Sequence, residues 1–192
     1  MNIVKILTVT FGIFLLASIT FMYSGLYPMG ADVPHSKPVY WALETLRERS
    51  IQRAAALIQP PELDDPQMLL SGGADYNDMC AGCHLKPGKT SSDLSTGLYP
   101  TPPNLTVNQQ KTADSKLASA RQFWIIKHGI KASGMPAWGA SHDDARIWAM
   151  VAFIQKMPTL TPDQYQILTA RESDDMAMND TVFKPVGEYQ GD

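Results

Sequence analysis

Apolar and polar positions alternate differently in successive parts of this chain. From Ile6 to Tyr23, within "MNIVKILTVTFGIFLLASITFMYSGLYPMG", no residue carries a charge. As a helix that run would rise about 27 Å, close to the thickness of a bilayer's hydrocarbon core, and it predicts a transmembrane anchor over 1–29. A cleaved export signal is the competing reading, since a lysine followed by an apolar stretch also begins such signals. The run is longer than the usual apolar region of a signal, and no Ala-x-Ala cleavage site follows it. Tyr23 and Tyr27 stand where interfacial aromatics anchor a spanning helix, so a retained anchor is expected.

Helical periodicity returns after a turn-rich joint, "YPMGADVPHSKP", in which Pro28, Gly30, Pro34 and Pro38 interrupt regular structure. "VYWALETLRERSIQRAAALIQ" has no glycine or proline and sets Leu43, Leu46, Ser50, Ala54 and Leu57 at helical spacing, predicting a helix over about 39–59 within a connector of 30–71. Pro60, Pro61 and Pro66 close it. Further on, Ile147, Met150, Val151 and Ile154 repeat at helical spacing, with Asp143 or Asp144 suited to the first turn. Thr161 and Pro162 fit the start of a short helix to about Arg171, and the sequence beyond Glu172 is polar and acidic. These segments give an all-α chain with a central domain over 72–160 and an extension over 161–192.

Composition narrows the function more than the fold. The chain has 192 residues, a hydrophobic fraction of 44% and a formal net charge of -3, as expected for one globular domain with extensions. There is no overall basic field to attract nucleic acid. Lysine and arginine outnumber aspartate and glutamate nine to six over residues 72–160, whereas residues 161–192 hold two against seven. A mildly basic centre therefore carries an acidic tail.

The two cysteines of the chain fall within "DYNDMCAGCHLKPGKT", with His84 directly after Cys83. A structural zinc site needs a second ligand pair, and the other histidines, His35, His128 and His142, are scattered. A thioredoxin-like pair wants a strand ahead of it, but "SGGADYNDM" lacks β-branched residues. A disulfide closing so small a ring would restrain the unfolded chain little. The Cys-x-x-Cys-His order instead suits covalent attachment of haem c, with Cys80 and Cys83 bonded to the vinyl groups and His84 on the iron. An electron carrier must also fill the sixth iron position. Met135, between Gly134 and Pro136, is the methionine whose setting is a loop; Met150 and Met157 sit in helical patterns, and Met79 is too near Cys80 to reach the opposite face. His142 and His128 are the alternatives. Trp124 and Trp138 flank the loop and either border the haem or fill the core. Arg121 and Lys127 are candidates for the haem propionates, with solvated surface as the plainer reading. Lys86, Lys89, Lys127 and Lys131 could steer an acidic redox partner.

Together, "MCAGCH", Pro87, the "PPNL" loop at 102–105, "FWIIKHGIKASGMPAWG" and "DDARIWAMVAFIQKMP" resemble a class I c-type cytochrome over about residues 72–160. The resemblance implies a small cytochrome c fold around one covalently bound haem, here preceded by the anchor and an extra helix. It implies a first helix meeting the last, Gly73 and Tyr76 against Trp148 and Phe153, and a carbonyl of Pro87 holding the imidazole through its Nδ1 proton. The expected function is that of a membrane-anchored monohaem carrier of single electrons between protein partners, not an enzyme in its own right; the alternative is a permanent haem subunit of a membrane dehydrogenase or terminal oxidase. Haem is attached to such motifs on the outer side of an energy-transducing membrane, so a haem domain facing the periplasm is expected.

Overall fold

A computed structural model of the chain describes residues 2–107 and 115–170, so the expected acidic tail beyond Glu172 lies outside the described residues. Among the described residues every regular element is a helix. The chain divides into two units, Met1–Ser36 and Lys37–Asp192.

The first unit contains α1 (Ile3–Tyr23), 21 residues with no buried side chain and a mean hydropathy of 2.1, long and apolar enough to cross a membrane. Its hydroxyls are satisfied within the helix: Thr8 Oγ1 donates to the Val4 carbonyl and Ser18 Oγ to that of Phe14, each at 2.9 Å. That removes the cost of exposing a free hydroxyl to an apolar solvent. Past its end, the Tyr27 hydroxyl and His35 Nδ1 lie 2.7 Å apart.

The second unit opens with α2 (Lys37–Ala55). Pro38, expected in the joint, lies in the first turn of this helix, where a missing amide proton costs nothing. The helix also stops short of residue 59, because Leu57 and Ile58 donate to Ala54 and Ala55 in a tightened last turn. The buried face is not the leucine stripe. Ile51 and Ala55 are buried, whereas Leu43, Leu46 and Leu57 are 51%, 71% and 83% exposed. Glu48 explains the choice: Arg121 Nη2, on α6 (Ser115–His128), donates to both of its carboxylate oxygens at 2.8 and 2.6 Å, and Arg47 adds a contact of 3.1 Å. Burial opposes the charge on Glu48, but the two guanidiniums outweigh it and hold the carboxyl below its ordinary range.

The centre of this unit is the crossing of α3 (Pro66–Met79) with α7 (Asp144–Lys156). Asp65 caps α3 by accepting from the Gln67 amide, and Asp143 caps α7 by accepting from that of Arg146. Gly72 lets the backbones touch, since any Cβ there would collide with the Ala149 carbonyl. A Cβ on Gly73 would stand 2.9 Å from the Phe153 ring, and Tyr76 packs on that ring with centroids 5.6 Å apart. Trp148 stacks on Phe123 of α6, at 4.1 Å and 14°, and belongs to the same buried cluster as Tyr76. Asp75, 3% exposed, receives two bonds from Arg146, at 2.5 and 2.7 Å, pinning the crossing in register. Finally α8 (Pro162–Leu168), capped by Thr161 and Gln164, sets Tyr165 beside Tyr76 and donates its hydroxyl to Asn77 at 3.2 Å.

Candidate haem site

Where α3 ends, the chain makes one more helical turn, α4 (Ala81–His84). Cys80 caps α3 with its amide on the Tyr76 carbonyl, and the Cys83 and His84 amides return to the Cys80 carbonyl at 3.1 and 2.8 Å. Positions i, i+3 and i+4 of one turn share a face, which brings Cys80, Cys83 and His84 together. Neither cysteine is in a disulfide. Burial, then the neighbouring Asp75 and Cys83, pushes the Cys80 thiol up to about 12, which argues against a thiolate redox pair.

His84 is fixed from the loop at 102–105. Its Nδ1 donates to the Pro103 carbonyl at 2.9 Å, and the Leu105 amide donates to the His84 carbonyl at 3.2 Å. The carbonyl expected of Pro87 is therefore supplied by Pro103. Pro87 is drawn instead into a turn in which Lys89 donates to the Lys86 carbonyl and Gly88 takes a φ of +84°. Burial lowers the His84 pKa more than the Pro103 bond raises it, so the ring is neutral at neutral pH, and Nε2 is left unprotonated and able to bind a metal.

Met135 lies on a loop that leaves α6 at Gly129, whose φ is +63°. The loop closes on itself: the Ile130 amide donates to the Met135 carbonyl at 3.1 Å, and the Met135 amide to Ser133 Oγ at 3.1 Å. Two glycines permit close approaches. A Cβ on Gly129 would stand 2.7 Å from the Met135 carbonyl oxygen, and one on Gly134 2.6 Å from Cδ2 of Leu98, which follows the short helix α5 (Asp93–Gly97). Met135, Trp138 and Leu105 are all half-buried against the hydrophobic cluster that contains Cys80. The alternative ligands are otherwise engaged or outward: His142 Nδ1 lies 2.8 Å from Ser141 Oγ with its ring edge-on to Trp138, and His128 is exposed. Arg121 is paired with Glu48, and Lys127 with Asp144 at 2.6 Å.

These residues fit a covalently attached haem: two unbridged thiols and a neutral imidazole share one turn, with the imidazole's other nitrogen already bonded and an apolar cluster beside them. Residues 67–154 match the family model described as "Cytochrome C oxidase, cbb3-type, subunit III". The domain is a class I c-type cytochrome. Such a domain holds haem c covalently and acts as an electron carrier rather than a catalyst. No curated protein and no solved structure matches the chain. Sequence reasoning overlooked Pro103, although it sits in the "PPNL" loop that carries part of the resemblance, and it overlooked Gly72 and Gly129, whose signal is a glycine inside or just after a helical pattern.

Proposed function

We propose that this chain is a membrane-anchored monohaem cytochrome c that relays single electrons between protein partners. In this reading Cys80 and Cys83 would hold the haem by thioether bonds, His84 Nε2 and the Met135 sulfur would bind its iron, and Trp138 would border it. The observation that carries the reading is the bond from His84 Nδ1 to the Pro103 carbonyl, which fixes the tautomer and plane of an imidazole adjoining two unbridged cysteines. When bound, the haem supplies one iron that takes up and returns one electron. The chain's own contribution is rigidity and dryness: Pro103 and Leu105 hold His84, Gly129 and Ser133 shape the Met135 loop, and the cluster around Cys80 excludes water.

The anchor is α1, spanning an energy-transducing inner membrane with the 72–160 domain in the periplasm, and the partners belong to a respiratory chain. The length and apolarity of α1 support this, as does the side on which haem is attached to such motifs. Expressed with Cys80→Ala and Cys83→Ala together, the protein should release its haem to acidified organic solvent, while wild type retains it. Haem that stays attached in the double variant would overturn the thioether assignment.

A second reading, a permanent subunit of a larger membrane oxidoreductase, is favoured by the exposed leucines of α2 and by the oxidase subunit named in the family description. Purification of the native protein in mild detergent separates the two: other polypeptides travel with a subunit and not with a lone carrier.

A further inference from the structure

Leu85, the residue after His84, has a φ of 68° and a ψ of 175°. That region of backbone space is essentially reserved for glycine. Leucine nevertheless occupies it while 6% exposed, so its surroundings must hold it there. Three bonds converge on the His84–Leu85 peptides. The Leu85 amide donates to the Ala81 carbonyl at 3.0 Å, and the Leu105 amide to the His84 carbonyl at 3.2 Å. The third donor comes from α3: the Tyr76 hydroxyl donates to the Leu85 carbonyl at 2.7 Å and lies 3.3 Å from that of His84. Tyr76 has no exposed surface and is wedged between Phe153 and Tyr165, so its ring cannot turn away.

We propose that Tyr76 is a positioning residue for the axial histidine, its hydroxyl clamping the left-handed backbone at Leu85 so that the His84 imidazole keeps one plane toward the iron. The proposal rests on the reading of His84 as an axial ligand. Without the hydroxyl, a buried carbonyl loses its donor and Leu85 loses the bond that offsets its unfavourable φ. The peptide after His84 can then relax, and the ring turns about its Pro103 bond.

The test uses the full-length haem protein in detergent, comparing wild type, Tyr76→Phe, Tyr76→Phe with Leu85→Gly, and Phe153→Leu. Haem methyl resonances of the oxidised protein report the imidazole plane, and a redox titration reports the potential. Tyr76→Phe should keep its haem, redistribute the methyl shifts and lower the potential. Adding Leu85→Gly should return the methyl pattern toward wild type, because glycine holds this backbone without a clamp. Phe153→Leu, which disturbs the same packing but no bond to this peptide, should lower the melting temperature and leave the methyl pattern alone. A wild-type pattern and potential in Tyr76→Phe, or an equal change in Phe153→Leu, overturns the proposal. Failure of the underlying reading shows separately, as an unaltered wild-type spectrum in His84→Ala.

Discussion

His84 and Met135 are held by opposite means. On the histidine side, three segments converge: α3 through Tyr76, the α4 turn, and the following loop through Pro103 and Leu105. On the methionine side one short loop folds on its own backbone, through Ile130, Ser133 and Met135, and hangs from the end of α6. Both sides hold a non-glycine residue at positive φ, Leu85 at +68° directly after His84 and Ala132 at +55° within the methionine loop, and that loop also opens at Gly129, which adopts +63° without penalty. A side built from long-range bonds resists loosening as one cooperative unit, whereas a loop with local bonds opens at lower cost. The comparison teaches that the proposed Met135 ligand should come free well before His84.

Met135→Ala breaks the comparison most severely. The thioethers and His84 still hold the haem in the proposed site, so the fold and covalent attachment should persist. The charge-transfer band near the red end of the oxidised spectrum should vanish, the reduced protein should take up carbon monoxide, and the potential should fall as a harder ligand such as water favours ferric iron. An unaltered spectrum with no carbon monoxide uptake would move the distal ligand elsewhere, with His142 next to be tested.

Gly129→Ala acts on the same side without touching the sulfur. Forcing an L-residue into the left-handed region costs about 1–2 kcal/mol. The new Cβ also meets the Met135 oxygen, the Pro136 carbon and the Ala137 nitrogen, all backbone atoms, at 2.7 to 2.8 Å. The loop must shift, so part of the population should lose the red band, and carbon monoxide should bind the reduced form more readily than in wild type. Bands and affinity identical to wild type would mean that the loop is held by more than its glycine and its own backbone bonds.

The sequence made the helices with strong periodicity legible, together with the Cys80–Cys83–His84 turn, because adjacent residues on one helix turn need no tertiary information. Contacts made across the chain were harder. Pro87 and Pro103 are both prolines in loops near His84, and only the path of the chain decides which carbonyl reaches Nδ1; Gly88 and the Lys86–Lys89 turn draw Pro87 into local structure, leaving Pro103. The same limit applies to α2. Its leucine spacing marked a helix correctly, but the face it buries was chosen by Glu48 and a single arginine 73 residues away. The left-handed leucine at 85 gave no signal at all, since sequence patterns expect glycine there.

The smallest predicted effect sharpens the comparison through α6, from which the methionine loop departs. Glu48 joins α2 to α6 through Arg121, and its folded-state pKa is lowered, burial being outweighed by Arg121 and Arg47. A carboxyl depressed in the folded state binds protons more readily when unfolded, so its stabilisation is full above the unfolded value, near 4.5, and fades as pH falls through the folded value. The pair is partly exposed, with side chains at 37% and 27%, so its contribution is below about 1 kcal/mol after solvent screening. Glu48→Gln should therefore lower the melting temperature slightly at neutral pH and make almost no difference in strong acid, where wild type has already lost the bridge. If the methionine side is the weaker one, the red band of wild type should also fade in acid before global unfolding, and in Glu48→Gln it should fade at a higher pH. A neutral-pH melting temperature that is unchanged by the substitution, with the band fading at the same pH in both proteins, would show that α2 adds nothing to the hold on the methionine loop.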